Sequence, residues 1–349
     1  MGAAISEVRQ GQGRLGRMLE AKNAPTSRVQ KNRTTGAAVF LAAFLAASAS
    51  LPPRGLSEQE SGPVISTSVN LVVLPVTVTD RKGEFVQGLD VANFRIDEDS
   101  RPQKIEVFRH EDAPVTAGLL VDHSGSMAAK LGEVIQGAMA FVQASNPQVR
   151  EFVVNFSDSV TFGLPPDLEF TSDTQKLEAA VLNTPASGQT ALYDALVASL
   201  KRLEKDSRDK KVLLLVSDGG DNASKHTFSE ALRMAQSSNV IIYTIGLFDE
   251  HSFDQNPKVL TKIAKETGGE AYFPKSAAET VGVCRQIAGD IRHQYTLGYS
   301  PTDTRPGYRK VHVSVTAPGR GKLFSRTRAG YYFSGATPTP SAAGQTSSP

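Results

Sequence analysis

Apolar and polar positions change rhythm twice along this chain. In "VNLVVLPVTVTDRKGEFV" β-branched residues alternate with neighbours up to Thr79 and then meet the polar turn Asp80-Arg81-Lys82-Gly83, the pattern of a half-buried strand and its exit. "NFRIDEDSRPQKIEVFRH" predicts two more strands, over 94–98 and 104–109, around a polar turn. The same period of two returns near the other end in "HQYTLGYSP", "YRKVHVSVTAP" and "KLFSRTRAGYYF". The early strands are too few to bury both faces of a sandwich alone. Residues 64–112 and 293–333 therefore read as one small all-β, sandwich-like domain, interrupted by what lies between them.

The middle, 113–292, has a different texture. Short runs that are apolar throughout, at 117–121, 152–156, 212–216 and 240–245, alternate with helical spacing. Met127, Leu131, Val134, Ile135, Ala138 and Phe141 recur on one helical face, as do Leu192, Leu196, Leu200 and Leu203. Thr227-Phe228-Ser229-Glu230 is a capping box that opens another helix. Strands apolar on both faces, separated by helices, mean a parallel sheet covered on both sides. The expected fold is α/β: a doubly wound, mostly parallel, Rossmann-like sheet inserted in the small β-domain. "FVVNFSDSVTFG" reads as a hairpin that adds an antiparallel edge.

Composition is ordinary for a globular protein: 349 residues, 40% hydrophobic and 21% charged. The net charge of +2 is unevenly spread. Residues 1–49 hold seven basic side chains against Glu7 and Glu20, which leaves 31 basic and 34 acidic residues beyond. A near-neutral body gives no electrostatic reason to expect nucleic acid as a partner. Within the leader, basic residues precede an apolar run from Gly36 to Ala47 and then Ala47-Ser48-Ala49, the plan of a secretory signal peptide over 1–49. Met18 is an alternative start. The apolar run is too short for the roughly 20 residues that cross a bilayer, so no membrane span is expected in the mature chain. The expected location is secreted, periplasmic or cell envelope, with tethering by an uncleaved signal anchor as the alternative. No cysteine follows the apolar run, which argues against a lipoprotein. "GQGRLG" follows no strand and opens no βαβ unit, so it is no dinucleotide site. Cys284 is the only cysteine, which rules out an intrachain disulfide or a cysteine metal cluster; it reads as a small buried hydrophobe. Residues 335–349, rich in Pro, Ser and Thr, are expected to be a disordered tail.

Candidate chemistry gathers where strands of the middle segment end. The run "LLVDHSGSMAAK" closes on Asp122, His123, Ser124, Gly125 and Ser126; "SGQTALYDAL" brings Gly188 and Thr190 before a helix; "LLLVSDGGDN" ends a strand on Asp218. In an open doubly wound sheet, ligands bind outside the carboxyl ends of the strands, so these elements can share one crevice. If the strands before Asp122 and Asp218 are neighbours, the two carboxylates face each other.

Together these residues resemble a von Willebrand factor A domain with its metal-ion-dependent adhesion site, written D-x-S-x-S, then Thr, then an Asp-Gly strand end. Asp122, Ser124 and Ser126, then Thr190, then Asp218 match in order and in context, and the resemblance spans about 113–292. The flanking β segments and the "RAGYYF" ending are similar to a bacterial secreted subfamily. The resemblance implies that Ser124, Ser126 and Thr190 offer hydroxyl oxygens to Mg²⁺ (Mn²⁺ or Ca²⁺ being alternatives), while Asp122 and Asp218 hold the metal's waters. It further implies a protein partner that presents an acidic side chain to the metal, and an adhesive or interaction module rather than an enzyme.

Blander readings exist for each element. Ser124 or Ser126 could cap the following helix, and Asp218 could be a turn residue before Gly219-Gly220. His123 stands between the ligand positions, where a protonated imidazole would repel a cation. The other function classes are a metal-independent scaffold of an envelope complex and a Mg²⁺-dependent phosphohydrolase. The second lacks support: Ser124 stands where a phosphatase resembling D-x-D would have its second aspartate, and neither G-x-S-x-G nor H-E-x-x-H occurs.

Overall fold

The structure, a computed structural model, describes residues 71–110, 112–248 and 255–334. The signal peptide expected over 1–49 and the tail expected over 335–349 lie outside them. The chain first lays down β1 (Val72–Thr79), β2 (Phe94–Glu98), β3 (Arg101–Gln103) and β4 (Val107–Arg109). The α/β segment follows with β5 (Val115–Asp122), α1 (Leu131–Ala144), β6 (Arg150–Phe156), β7 (Val160–Phe162), α2 (Thr174–Leu182), α3 (Leu192–Glu204) and β8 (Lys210–Ser217). It continues with α4 (Phe228–Ser237), β9 (Val240–Gly246), α5 (Pro257–Thr267), β10 (Ala271–Tyr272) and α6 (Ala277–Arg292). The chain then returns to β structure with β11 (Tyr295–Tyr299), β12 (Gly307–Val315), β13 (Phe324–Arg326) and β14 (Gly330–Phe333).

The six-stranded sheet has the order β10-β9-β8-β5-β6-β7, parallel except for β7, which folds back antiparallel on β6. Every residue of β5 and β9 is buried, as both-face coverage by helices demands. The chain runs from β5 outward to β6, then returns to the other side of β5 as β8. That reversal makes the β5–β8 boundary the switch point, where loops diverge and leave a crevice. Here β5 and β8 pair in register from Val115↔Lys210 to Val121↔Val216, so the strand ends at Asp122 and Ser217 arrive together.

The early and late strands make two four-stranded sheets, β13-β1-β11-β4 and β14-β12-β2-β3. They share a second apolar core built on Leu74, Val76, Ile96, Leu297 and Val313. Glu98 pins the layers from inside: Tyr299 and Tyr331 each donate to Oε2 at 2.6 Å, and Arg309 donates to Oε1 at 2.6 Å. Of the strand expected over 104–109 only Val107–Arg109 forms, while Arg101–Gln103, within the expected turn, is strand instead. Asp99 and Ser100 take positive φ of 47° and 66°, a tight hairpin turn that opposes Arg101–Gln103 to β2. Residues 104–106 then cross between layers, and Val107–Arg109 pairs with β11. "KLFSRTRAGYYF" divides in the same way, into β13 beside β1 and β14 beside β12.

A buried polar knot joins the β layers to the α/β segment. Asp290 on α6 accepts hydrogen bonds from Thr77 on β1 at 2.5 Å, from Tyr243 on β9 at 2.7 Å, and from Arg326 on β13. Asp290 is only 1% exposed, and a buried carboxylate without such partners would be costly. Replacing Asp290 with Asn removes the nearer carboxylate from the Arg326 guanidinium and leaves only Glu270, at 3.6 Å, beside it. We expect a loss of about 3–5 kcal/mol in urea unfolding; an unchanged midpoint would show that the knot does not hold the layers together.

Glu151 on β6 is fully buried, and neither side-chain oxygen has a hydrogen-bond partner among the described residues. Burial pushes its carboxyl from 4.5 up to about 8. Between those values the folded state holds a proton that the unfolded state has released, so the contribution of Glu151 to stability is full below pH 4.5 and is lost as pH rises toward 8. Glu151→Gln should flatten that slope in thermal melts taken across pH 4.5–8; superimposable profiles for the two proteins would exclude this carboxyl as its source.

Candidate functional site

Three loops meet at the carboxyl edge between β5 and β8. The first leaves β5 at Asp122, whose side chain is 0% exposed. Its Oδ1 accepts from the Ser124 backbone N–H at 2.8 Å and its Oδ2 from the Ser217 hydroxyl at 2.6 Å. The Ser124 and Ser126 hydroxyl oxygens lie 3.1 Å apart, and Ser126 donates to Asp218 Oδ2 at 2.8 Å. A continuous chain of oxygens thus runs Ser217–Asp122, through the Ser124 backbone, then Ser124–Ser126–Asp218. Four of the five residues singled out in the sequence are brought together by it.

Thr190 reaches the same place through backbone bonds. Gly125 N–H donates to the Gly188 carbonyl at 3.1 Å, and Ser187 N–H to the His123 carbonyl at 2.8 Å. Those two bonds stitch the second loop to the first. Gly188 has φ +82°, and a Cβ there would lie 2.0 Å from the Asp158 carboxylate, so both conformation and space require glycine. On its other side Thr190 donates its N–H to Asn222 Oδ1 at 2.8 Å, and its carbonyl accepts from Asn222 and Ala223 N–H at 3.0 and 3.1 Å. Thr190 is therefore clamped between the two strand-end loops. The clamp extends to the start of α3, where Tyr193 N–H donates to Asp221 and the Asp194 carboxylate accepts from Lys225 and His226 N–H.

Asp218, 2% exposed, also accepts from Gly220 N–H at 3.1 Å through Oδ1. The turn role thus occupies one oxygen and leaves the other on Ser126. Gly219 next to it has φ +82° and would place a Cβ 2.5 Å from the Asn256 carbonyl, while Asn256 N–H donates to the Asp218 carbonyl at 3.0 Å. The start of α5 is thereby fastened to the site.

Burial pushes the Asp122 carboxyl up to about 6, and the Asp218 charge adds to this, while hydrogen bonds from Ser124 and Ser217 pull it down. Two buried carboxylates so close together are destabilised as anions unless positive charge compensates them. Their hydrogen-bond donors are hydroxyls and backbone N–H groups. His123 cannot supply that charge: its ring is buried, with Nε2 3.1 Å from Asn155 Oδ1, and burial lowers its pKa. With its ring turned toward Asn155 on β6 and burial disfavouring its charged form, His123 brings less repulsion than its position in the sequence suggested.

The residues present fit a hard cation. Ser124 begins a short 3-10 segment, Gly125–Lys130, yet makes no side-chain capping bond there, so its hydroxyl is not consumed by capping. All the side chains that converge carry oxygen, the donor type preferred by Mg²⁺, Mn²⁺ and Ca²⁺. Among the described residues no group of three or more His, Cys, Asp or Glu is placed to hold a metal; a cation here would rest on hydroxyls with two carboxylates behind them.

Ser217 and Asn222 were not singled out from the sequence. Ser217 had a usable signal, being a polar residue that closes the apolar run one step before Asp218. Asn222 had none, because its role exists only once the Thr190 loop folds against it. Cys284 is buried among apolar side chains, and that burial pushes its thiol up to about 12, which suits an inert core residue.

Residues 118–286 match the family model of the von Willebrand factor type A domain. Among solved structures, a von Willebrand factor type A protein from Catenulispora acidiphila is similar at 14% identity, covering 69% of this chain and 74% of that one with a TM-score of 0.46. The von Willebrand domain of the type V pilus tip protein Mfa5 from Porphyromonas gingivalis is similar at 16% identity, covering 52% and 95% with a TM-score of 0.44. BatB from Bacteroides thetaiotaomicron, a conserved hypothetical protein, is similar at 15% identity, covering 51% and 98% with a TM-score of 0.41. No curated protein matches the chain. The α/β segment of this chain is a von Willebrand factor type A domain, a kind of module common in adhesion and protein–protein interaction.

Proposed function

We propose that the strand-end cradle binds a divalent cation, Mg²⁺ with Mn²⁺ or Ca²⁺ as alternatives, and through it an acidic side chain of a protein partner. The observation that carries this reading is the pair Asp122 and Asp218, both buried, linked by serine hydroxyls and, among the described residues, bonded to no cationic side chain. Ser124, Ser126 and Thr190 would hold the ion, with Asp122 and Asp218 orienting the hydroxyls and the ion's waters. The bound ion would supply Lewis-acid attraction for a foreign carboxylate. Neutral hydroxyls suit that task, because they leave most of the ion's charge for the partner. Ser217 keeps Asp122 turned toward the cradle, and Asn222 keeps Thr190 between the loops.

The proposed setting is outside the cytoplasm, by way of the signal peptide read over 1–49. No described helix is long and apolar enough to cross a membrane. An interaction module is favoured over an enzyme, since the hydroxyls at the cradle are tied to buried carboxylates and to each other, and among the described residues no histidine is bonded to them.

Calorimetric titration of Mg²⁺ and Mn²⁺ should give a single binding step in the wild type. Asp122→Ala and Thr190→Ala should each weaken it by at least about tenfold, the scale seen when a metal site loses a supporting group. Equal heats from all three proteins would refute the cradle and leave the metal-independent scaffold as the remaining reading.

A further inference from the structure

The start of α5 is fastened beside Asp218 by the Asn256 N–H, and from there a groove runs away from the cradle along the helix. Its upper part is a hollow of about 340 Å³ over Pro257, Lys258, Thr261, Lys262, Lys265 and Glu266. Its lower part is a cavity of about 560 Å³ between α5 and β10 on one side and β12 and β13 on the other. The two hollows share Thr261 and Lys265, so they form one track. Lys258 and Lys265 are seven residues apart, two helical turns, and face the same way.

The charge along this track is mostly positive, with Glu266 and Glu270 as the acids in its lining. Lys262 is paired with Glu266 at 2.6 Å, but Lys258 and Lys265 have no ion-pair partner among the described residues. Below them the cavity wall carries His312, Arg328 and Arg326, the last already paired with Asp290 and with Glu270 at 3.6 Å. Arg328 is 5% exposed and bonded to neutral oxygens, including the carbonyls of Gln236 and Ser238 at the end of α4, with no carboxylate among them. Phe273 and Val313 give the same cavity an apolar side. Three cations on this track, Lys258, Lys265 and Arg328, thus have no carboxylate partner among the described residues, on a body that is slightly acidic as a whole.

We infer that the α5 groove is a second contact surface for the protein partner, and that it takes an extended, acidic peptide segment continuous with the residue held at the cradle. The inference rests on the metal-dependent reading and adds the chemistry of the partner. α5 has 11 residues and is about 16 Å long, a span that roughly five residues of extended chain cover. Acidic side chains at alternate positions would all point to the lysine side, with apolar ones directed to the cavity wall. The chain's own segment 335–349 holds no Asp or Glu and so lacks the charge to fill this role.

The test is fluorescence anisotropy on the full chain in Mg²⁺ with a labelled, amidated octapeptide alternating Val and Glu, beside its Val and Gln counterpart. We expect the acidic peptide to bind at least about tenfold tighter at low salt, an advantage that shrinks as ionic strength screens it. Lys258→Gln with Lys265→Gln should weaken binding about fivefold or more while Mg²⁺ affinity, measured separately, stays at the wild-type value. Asp122→Ala should weaken the same peptide by removing the cradle contact, leaving the lysine-dependent part. Unchanged affinity in the lysine variant, equal binding of both peptides, or binding of dextran sulfate in place of either peptide would overturn the inference. A wild type that takes no Mg²⁺ but still loses peptide affinity with the lysines would instead refute the cradle and keep the groove.

Discussion

Two carboxylates that end neighbouring parallel strands are held out of water with no cationic side chain bonded to either among the described residues, and the surrounding architecture answers to that constraint. Asp122 and Asp218 lie close enough for each charge to oppose the other. The loops compensate with directed donors: Ser217 and the Ser124 N–H on Asp122, Ser126 and the Gly220 N–H on Asp218. Hydrogen bonds to a charged acceptor are among the stronger ones, yet none of these donors brings a full positive charge. Both the three-loop convergence and the glycines at 188 and 219 follow from bringing that many oxygens and N–H groups to one edge.

The sheet topology makes the convergence possible. Only at a switch point do loops after adjacent strands diverge and leave room for a third. β5 occupies the centre, with β6 and β8 on either side. The Thr190 loop arrives from the β6 side and the Asp218 loop from β8, and both close on the segment leaving β5. Asn222 joins them to each other. A local change in any loop would therefore be felt at the other two, because they share backbone hydrogen bonds rather than touching only through side chains.

The β layers anchor this domain by its two ends. β4 leads into β5, and α6 leads into β11, so the α/β segment enters and leaves through the same small sandwich. The Asp290 knot strengthens that attachment with donors from β1, β9 and β13. It also shapes the groove between α5 and the sandwich, since Arg326 both lines that cavity and satisfies Asp290.

Much of this was legible along the chain, because burial on both faces leaves uninterrupted apolar runs that periodicity detects. The strands around 117–121, 152–156, 212–216 and 240–245, the antiparallel edge, and the strand-end residues Asp122, Ser124, Ser126, Thr190 and Asp218 are local features of that kind. What stayed hidden depends on contacts between residues far apart in sequence. The alternation in 104–109 and in "KLFSRTRAGYYF" has no mark for where the chain changes layer; that is decided by which sheet edge the next residues find. Ser217 and Asn222 acquire their roles only from partners 95 and 32 residues away. The orientation of His123 is likewise set by Asn155, across the sheet. Sequence determined the elements and the oxygen-bearing residues at their ends; tertiary packing alone decided their mutual distances, their burial and the groove beside them, since each is a property of surfaces that exist only after the strands have paired.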